Sequence, residues 1–146
     1  KNRFAKGIEV RKSKSWLQTI VAPVLMVFYL GALAFPCFGQ SDNLPEVSTD
    51  FFGIPTDKIV HFCMFFPFPI LVYATFVHKT KGRWVSVFQI IGIYIAGCIL
   101  GILTEIGQGL TDYRSCDIND FRADALGMAL SSIIIIIIDT IRRSGK

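Results

Sequence analysis

Side chains able to do chemistry concentrate in one stretch of the chain, from Gly101 to Gly127, which apolar segments flank on both sides. Where a lipid-facing segment would carry leucine, this stretch carries Glu105, Gln108, Arg114, Asp117, Asp120 and Asp124. Carboxylates can exchange protons, bind cations or hold a basic partner, and ionisable groups at membrane depth are costly without a role. This stretch is therefore the centre of the candidate site.

A second polar group lies upstream, in the run Asp57-Lys58-x-x-His61. Asp57 and His61 are four residues apart and Lys58 and His61 are three apart, so one helical face can carry all three. A lone histidine in a membrane span is more often a polar residue that joins two helices. The charged neighbours of His61 favour a site instead.

The elements that position these residues are membrane helices. The 146 residues are 52% hydrophobic and 13% aromatic, with a mean hydropathy of +0.52, which is not typical of a soluble domain. Four apolar stretches approach the roughly 20 residues needed to cross a bilayer: Trp16–Phe35, Ile59–Val77, Trp84–Leu103, and Ala125–Ile138 with a polar lead-in from Asp120. We predict an all-α polytopic membrane protein, a bundle of four transmembrane helices.

The basic residues predict the orientation of this bundle. They fall before the first stretch (Lys1, Arg3, Lys6, Arg11, Lys12, Lys14), between the second and third (Lys79, Lys81, Arg83), and at the end of the chain (Arg142, Arg143, Lys146). Such clusters lie on the cytoplasmic side, so both termini are expected in the cytoplasm and the protein in the cytoplasmic membrane. The predicted organisation is a basic lead over 1–15, a transmembrane domain over 16–141 and a basic tail over 142–146. The net charge of +4 is explained by these clusters, which argues against binding to nucleic acid.

The length of the fourth stretch predicts how deep its acidic residues lie. Ala125–Ile138 would form only about 21 Å of helix, too short to span, whereas a helix from Asp120 reaches about 28 Å. Asp124 must then lie about one turn inside the membrane.

The depths of the other candidate residues agree with this placement. Glu105 lies about 30 Å along the third helix, and His61 lies about one turn into the second from the same side. Because successive helices run in opposite directions, His61, Glu105 and Asp124 are expected in one outer layer. We predict an outward-opening polar pocket there, rimmed by Lys58 and Arg114.

Two further features bear on how the helices pack. Gly97-x-x-x-Gly101 allows another helix to approach the third helix closely. Pro67 and Pro69 withdraw backbone donors in the second helix and are expected to bend or locally unwind it.

The polar residues together resemble the VanZ-like family of small membrane proteins. The resemblance is carried by Asp57-Lys58-x-x-His61-Phe62, Glu105-x-x-Gln108, Arg114, Asp117, Asp120 and Gly127, and spans roughly 58–131. One position departs from the pattern, because Asp124 stands where the family usually has asparagine. The family is named for an accessory protein that lowers sensitivity to the glycopeptide teicoplanin, so the resemblance implies a role in the cell envelope.

Three functional interpretations remain open for the predicted site. Its members divide into catalytic candidates (His61, Glu105, Asp124) and ligand-binding candidates (Asp57, Lys58, Gln108, Arg114, Asp117, Asp120). The first group can perform acid–base chemistry while Arg114 or Lys58 holds an anionic lipid or a peptidoglycan-related group. The same pocket can instead bind such an envelope ligand without turnover, or be a buried network that fixes helix packing. Membrane lipids and a second copy of the chain are the other expected partners.

Metal binding is the least supported chemistry at this level. His61, Glu105, Asp120 and Asp124 are acceptable ligand types for zinc or another divalent ion, but no His-x-x-x-His or paired cysteine spacing accompanies them. We therefore predict no metal or other cofactor. The chain also lacks the His-Glu-x-x-His, Gly-x-Ser-x-Gly and phosphate-loop motifs, which argues against zinc proteases, serine hydrolases and nucleotidases.

Overall fold

The computed structural model describes residues 20–38, 50–51, 53–77, 82–111 and 116–144, and most of these residues are helical. The elements in chain order are α1 (Ala22–Phe38), β1 (Asp50–Phe51), β2 (Ile54–Pro55), α2 (Thr56–Phe65), α3 (Pro67–Phe76), α4 (Arg83–Gly109) and α5 (Ile118–Ser144). The two strands pair antiparallel around Gly53, whose φ of 79° lies in the left-handed region that glycine tolerates. The predicted all-α class is confirmed, with this short β-ladder as its single described addition.

Among the described residues, three helical segments are long and apolar enough to cross a membrane: Thr56–Phe76, Arg83–Gly109 and Ile118–Ser144. The last two have 27 residues each, or about 40 Å of helix, which exceeds a hydrocarbon core of about 30 Å. Both helices therefore extend beyond the predicted apolar stretches Trp84–Leu103 and Ala125–Ile138 at each end. Helix α1 has 17 residues, and the predicted start of its stretch at Trp16 lies outside the described residues.

The second span is divided in two at Phe66. Helix α2 ends at Phe65 and α3 begins at Pro67, as the two prolines predicted. Pro67 and Pro69 have no backbone N–H, so the carbonyls one turn before them lose their helical donors. The break separates a polar first half, which carries Lys58 and His61, from an apolar second half.

Burial in this protein is inverted relative to a water-soluble domain. Large apolar side chains lie on the outside, as in Phe28 and Phe88, which are 74% and 70% exposed. In the part of the chain that the structure describes, the following polar or charged residues are buried: His61, Thr75, Ser86, Thr104, Glu105, Gln108, Asp120, Asp124, Ser131 and Ser132. An apolar exterior around a polar interior suits a bundle surrounded by lipid, since polar groups there must find partners inside the protein.

Two glycines set the distances between the helices that carry the polar residues. A Cβ placed on Gly127 of α5 would lie 2.5 Å from the carbonyl oxygen of Phe62 in α2, so the two backbones are in direct contact there. A Cβ on Gly97 of α4 would overlap Met128 and lie 2.9 Å from the ring of Phe68. Gly101 is less tightly packed, because its nearest neighbours would be 3.5 Å away. The close approach predicted for α4 is therefore made mainly at Gly97.

An apolar cluster at the level of Gly97 holds the bundle together. It contains Leu33, Phe65, Phe68, Ile93 and Met128, contributed by all five helices. The Tyr29 hydroxyl of α1 also donates to the Met64 carbonyl at 2.7 Å, close to the break after α2. These contacts hold the polar ends of α2, α4 and α5 in a fixed relation.

Candidate functional site

His61 is at the centre of a buried group of ionisable side chains from three helices. Its Nδ1 atom lies 3.0 Å from Oδ1 of Asp124 in α5 and 3.9 Å from Oε1 of Glu105 in α4. Its Nε2 atom lies 3.5 Å from Oδ2 of Asp120. His61 and Glu105 are each 3% exposed and Asp124 is 0% exposed, so these charges are removed from solvent.

His61, Glu105 and Asp124 all lie at the same end of the bundle. His61 is about 8 Å from the start of α2, Asp124 about 9 Å from the start of α5, and Glu105 about 6 Å from the end of α4, at 1.5 Å per residue. The predicted convergence of these residues into one layer is therefore present in the structure. It follows from the antiparallel order of the spans and the fixed rise of a helix.

Glu105 also connects this group to the segment before α5. The backbone N–H of Asp117 donates to Oε2 of Glu105 at 3.1 Å. The Asp117 carboxylate in turn accepts from the backbone N–H of Asn119 at 2.9 Å, which satisfies a donor in the first turn of α5. The Glu105 carboxylate therefore fixes the segment that leads into α5, the helix that carries Asp124.

Lys58 bridges the acidic residues at the mouth of the group. Its ammonium donates to Asp57 at 3.0 Å, to Asp117 at 2.6 Å, and to Asp120. The hydrogen bond from Lys58 is the main reason that the pKa of the Asp117 carboxyl lies below its usual range. The side chains of Lys58 and Asp117 are 20% and 37% exposed, so this rim remains accessible above the buried layer.

Asp124 has one carboxylate oxygen without a partner. Oδ1 faces His61, whereas Oδ2 is buried and makes no hydrogen bond within the described part of the chain. Oδ2 lies on the side of Gly101, where a Cβ would be 3.5 Å away. A buried carboxylate oxygen in this state is costly unless a proton, a cation or a ligand is present.

The potential metal-ligating atoms of His61, Glu105 and Asp124 all lie within 4.8 Å of one another. One imidazole and two carboxylates at this spacing can hold a divalent ion, and the same arrangement can relay a proton between Asp124 and His61. The spacing in the sequence had given no support to a metal, because each ligand comes from a different helix.

The structure accounts for most of the remaining predicted site residues. Gln108 is buried on the face of α4 that carries Glu105, one turn away, and Asp57, Asp117 and Asp120 meet Lys58 as described above. Arg114, the second predicted rim residue, lies outside the described residues. The catalytic and ligand-binding roles assigned to these residues stay predictions.

A further polar group at the opposite end of the bundle was not predicted. The Tyr73 hydroxyl lies 3.4 Å from Oγ of Ser86, and Nε of Arg143 donates to Asp139 at 2.7 Å. Asp139 is about 22 Å along α5 from Asp124, so the two groups are separate. Arg143 had been interpreted only as an orientation signal, and nothing in the spacing of Tyr73, Ser86 and Asp139 indicates that they meet.

Comparison with known proteins identifies one family. The family model described as VanZ/LLP1 matches residues 8–139, which is most of the chain. No curated protein and no solved structure matches it.

Proposed function

The chain belongs to the VanZ/LLP1 family, as its motifs predicted, and we propose that it is a four-span protein of the cytoplasmic membrane with both termini in the cytoplasm. Three of these spans are the long apolar segments described above, and α1, preceded by the stretch from Trp16, is the fourth. Arg83 and Arg142 lie at the end of the bundle opposite His61, so the positive-inside rule puts the buried polar group beneath the outer leaflet.

The buried group of His61, Glu105 and Asp124 binds or processes a component of the cell envelope, either lipid-linked or related to peptidoglycan. Arg114 attracts an anionic group of this component while Lys58 holds the acidic residues at the rim, and His61, Glu105 and Asp124 act on the component or bind it. In this way the protein contributes to reduced sensitivity to teicoplanin.

One observation carries this proposal. His61, Glu105 and Asp124 come from three separate spans and meet in one buried layer, and one oxygen of Asp124 has no hydrogen-bond partner among the described residues. A group evolved only to hold helices together would pair its carboxylates fully, because a half-satisfied buried network costs stability. A buried carboxylate oxygen that keeps no partner is typical of a site in which stability is lower for the sake of function.

The alternative is a non-catalytic membrane protein whose polar group only fixes helix packing. The observation in its favour is the hydrogen bond from the Asp117 backbone to Glu105, which ties the start of α5 to α4. Under this alternative, loss of either Glu105 or His61 separates the helices and unfolds the protein.

Two substitutions distinguish these functions: Glu105→Gln, which keeps the shape and removes the charge, and His61→Ala. Each variant is produced at equal membrane level in a teicoplanin-sensitive bacterial host, and growth inhibition by teicoplanin and detergent melting are both measured. Asp139→Asn is the matched control, because it removes a carboxylate from α5 at the other end of the bundle. We expect both site variants to fold and to lose its protection, with Glu105→Gln melting like the wild type, while Asp139→Asn keeps the protection. Loss of folding in both site variants would instead support the structural alternative.

A further inference from the structure

On the basis of the function proposed above, we propose that His61, Glu105 and Asp124 bind one divalent metal ion of the Zn²⁺ class. The ion is held by Nδ1 of His61 and by one or more carboxylate oxygens from each acidic residue. An anionic group of the envelope ligand would complete its coordination.

The distances between these atoms suit a single ion. Ligands of a tetrahedral zinc ion, at bonds of about 2.0–2.1 Å, lie about 3.3 Å apart. His61 Nδ1 lies 3.0 Å from Asp124 Oδ1 and 3.9 Å from Glu105 Oε1, and one potential ligand atom from each residue lies within 4.8 Å of the others. Side-chain movements of about 1 Å or less would therefore close the set around one ion.

The surroundings of His61 match those of a metal-binding histidine. Such a histidine directs one ring nitrogen to the ion and the other to a carboxylate, which fixes the tautomer and the ring orientation. Nδ1 faces Glu105 and Asp124, whereas Nε2 lies 3.5 Å from Oδ2 of Asp120. Asp120 is itself held by the ammonium of Lys58, so the orienting carboxylate is also fixed.

The net negative charge around His61 gives a second reason to expect a bound cation. Three buried or nearly buried carboxylates surround one imidazole, and the ammonium of Lys58 is directed to Asp120 at the rim. The buried oxygen Oδ2 of Asp124 has no hydrogen-bond partner within the described ranges. A divalent ion would neutralise this excess negative charge and supply the partner that Oδ2 lacks.

The ligand types select the class of ion. One imidazole with two carboxylates suits Zn²⁺ and, less tightly, Mn²⁺, whereas Mg²⁺ and Ca²⁺ prefer oxygen ligands alone. The described cysteines Cys63, Cys98 and Cys116 are not members of this group, so thiolate coordination is not expected.

The first test is a titration of the purified full chain in detergent. After removal of metal with a chelator, Zn²⁺ is added in competition with a metal indicator, and Mn²⁺ and Mg²⁺ are compared. We expect one equivalent of tightly bound Zn²⁺, weaker Mn²⁺ and weakest Mg²⁺. Asp124→Asn and Glu105→Gln should each lower the Zn²⁺ affinity about 100-fold or more, because each removes a direct ligand. The control Asp139→Asn should bind like the wild type. Equal binding by the wild type and both site variants, or no tight binding by the wild type, would overturn the proposal.

The second test does not depend on whether the variants fold. X-ray absorption at the zinc edge of the wild-type protein should show nitrogen and oxygen neighbours at about 2.0–2.2 Å. Sulfur neighbours at about 2.3 Å would place the ion at cysteines and contradict the proposal.

The proposed metal site and the proposed function can fail separately. Lost teicoplanin protection in Glu105→Gln without tight Zn²⁺ binding by the wild type would refute the metal site alone. Tight Zn²⁺ binding with unaltered protection in that variant would refute the proposed function alone.

Discussion

Substitution of Gly127 by alanine should push α5, the helix that carries Asp124, away from α2 and so widen the site. The backbones of α2 and α5 touch at this glycine, and an added Cβ would lie 2.5 Å from the carbonyl oxygen of Phe62 and 3.3 Å from the backbone nitrogen of Phe66. Both neighbouring atoms belong to the backbone of the span, so no side chain can rotate away. The helices must move apart instead.

The size of this movement follows from the contact distances. An ordinary van der Waals contact of a Cβ begins at about 3.4 Å, so the helices must separate by about 0.9 Å to relieve the 2.5 Å contact. His61 Nδ1 and Asp124 Oδ1, now 3.0 Å apart, would then lie about 3.9 Å apart, where no hydrogen bond remains. Overpacking of this kind costs about 1–3 kcal/mol, or a fall in Tm of about 2–12 °C for a chain of this size.

The assay is the Tm of the purified protein in detergent, with Gly92→Ala as the matched control. Gly92 lies in α4, and a Cβ there would meet no atom within 4 Å, so alanine should leave the Tm unchanged or raise it through its higher helix propensity. Gly127→Ala should melt lower and should also bind Zn²⁺ more weakly, because its ligands are further apart. A Tm for Gly127→Ala at or above that of the wild type would show that the two backbones do not meet at this glycine.

Two further substitutions test the contacts around the site. Lys58→Met removes the ammonium that holds Asp117 and Asp120, and we expect a lower Tm at pH 7. Because the pKa of the Asp117 carboxyl is lowered, its contribution is complete above the ordinary carboxyl pKa of about 4 and is lost as the pH falls through the lowered value. The difference in Tm between the wild type and Lys58→Met should therefore shrink in that acidic range; a difference that grows there would contradict this pairing. Tyr29→Phe removes the hydroxyl that donates to the Met64 carbonyl and should cost about 1 kcal/mol of unfolding free energy, measured by denaturation in mixed detergent; no loss would show that α1 is held without this bond.

Much of the site could be predicted from the sequence because helix geometry converts residue number into depth. His61, Glu105 and Asp124 fall near the same end of three successive spans, and antiparallel helices of known rise bring such residues to one level. The bend at Pro67 was predictable for a similarly local reason, the missing backbone donor.

The helix bounds were less predictable, because hydropathy does not distinguish an inward-facing polar residue from a loop. The apolar stretch of the third span ends at Leu103, yet the helix continues to Gly109, and Glu105 and Gln108 are buried in its last two turns. For the same reason, the start of α5 at Ile118, ahead of Asp120, was not predicted. Polar residues in the last turns of a buried helix resemble a loop in composition alone.

Contacts between different segments could not be predicted at all from one sequence. The hydrogen bond from the backbone of Asp117 to Glu105 depends on how the chain enters α5, and the contact of Gly127 with Phe62 depends on the crossing of two helices. The ligand spacing of the proposed metal site has the same origin. Its three residues are separated by 44 and 19 positions along the chain, far from any known local metal motif.

The melting temperature of Asp124→Asn, measured with all metal removed, tests most directly whether the buried polar group serves function rather than packing. Asparagine has the shape of aspartate but no charge, so the substitution relieves repulsion from Glu105 and Asp120, and its amide oxygen can still pair with His61. We predict a Tm equal to or above that of the wild type. A Tm lowered by several degrees would mean that the Asp124 carboxylate holds the helices together, and the assignment of a functional site would be wrong.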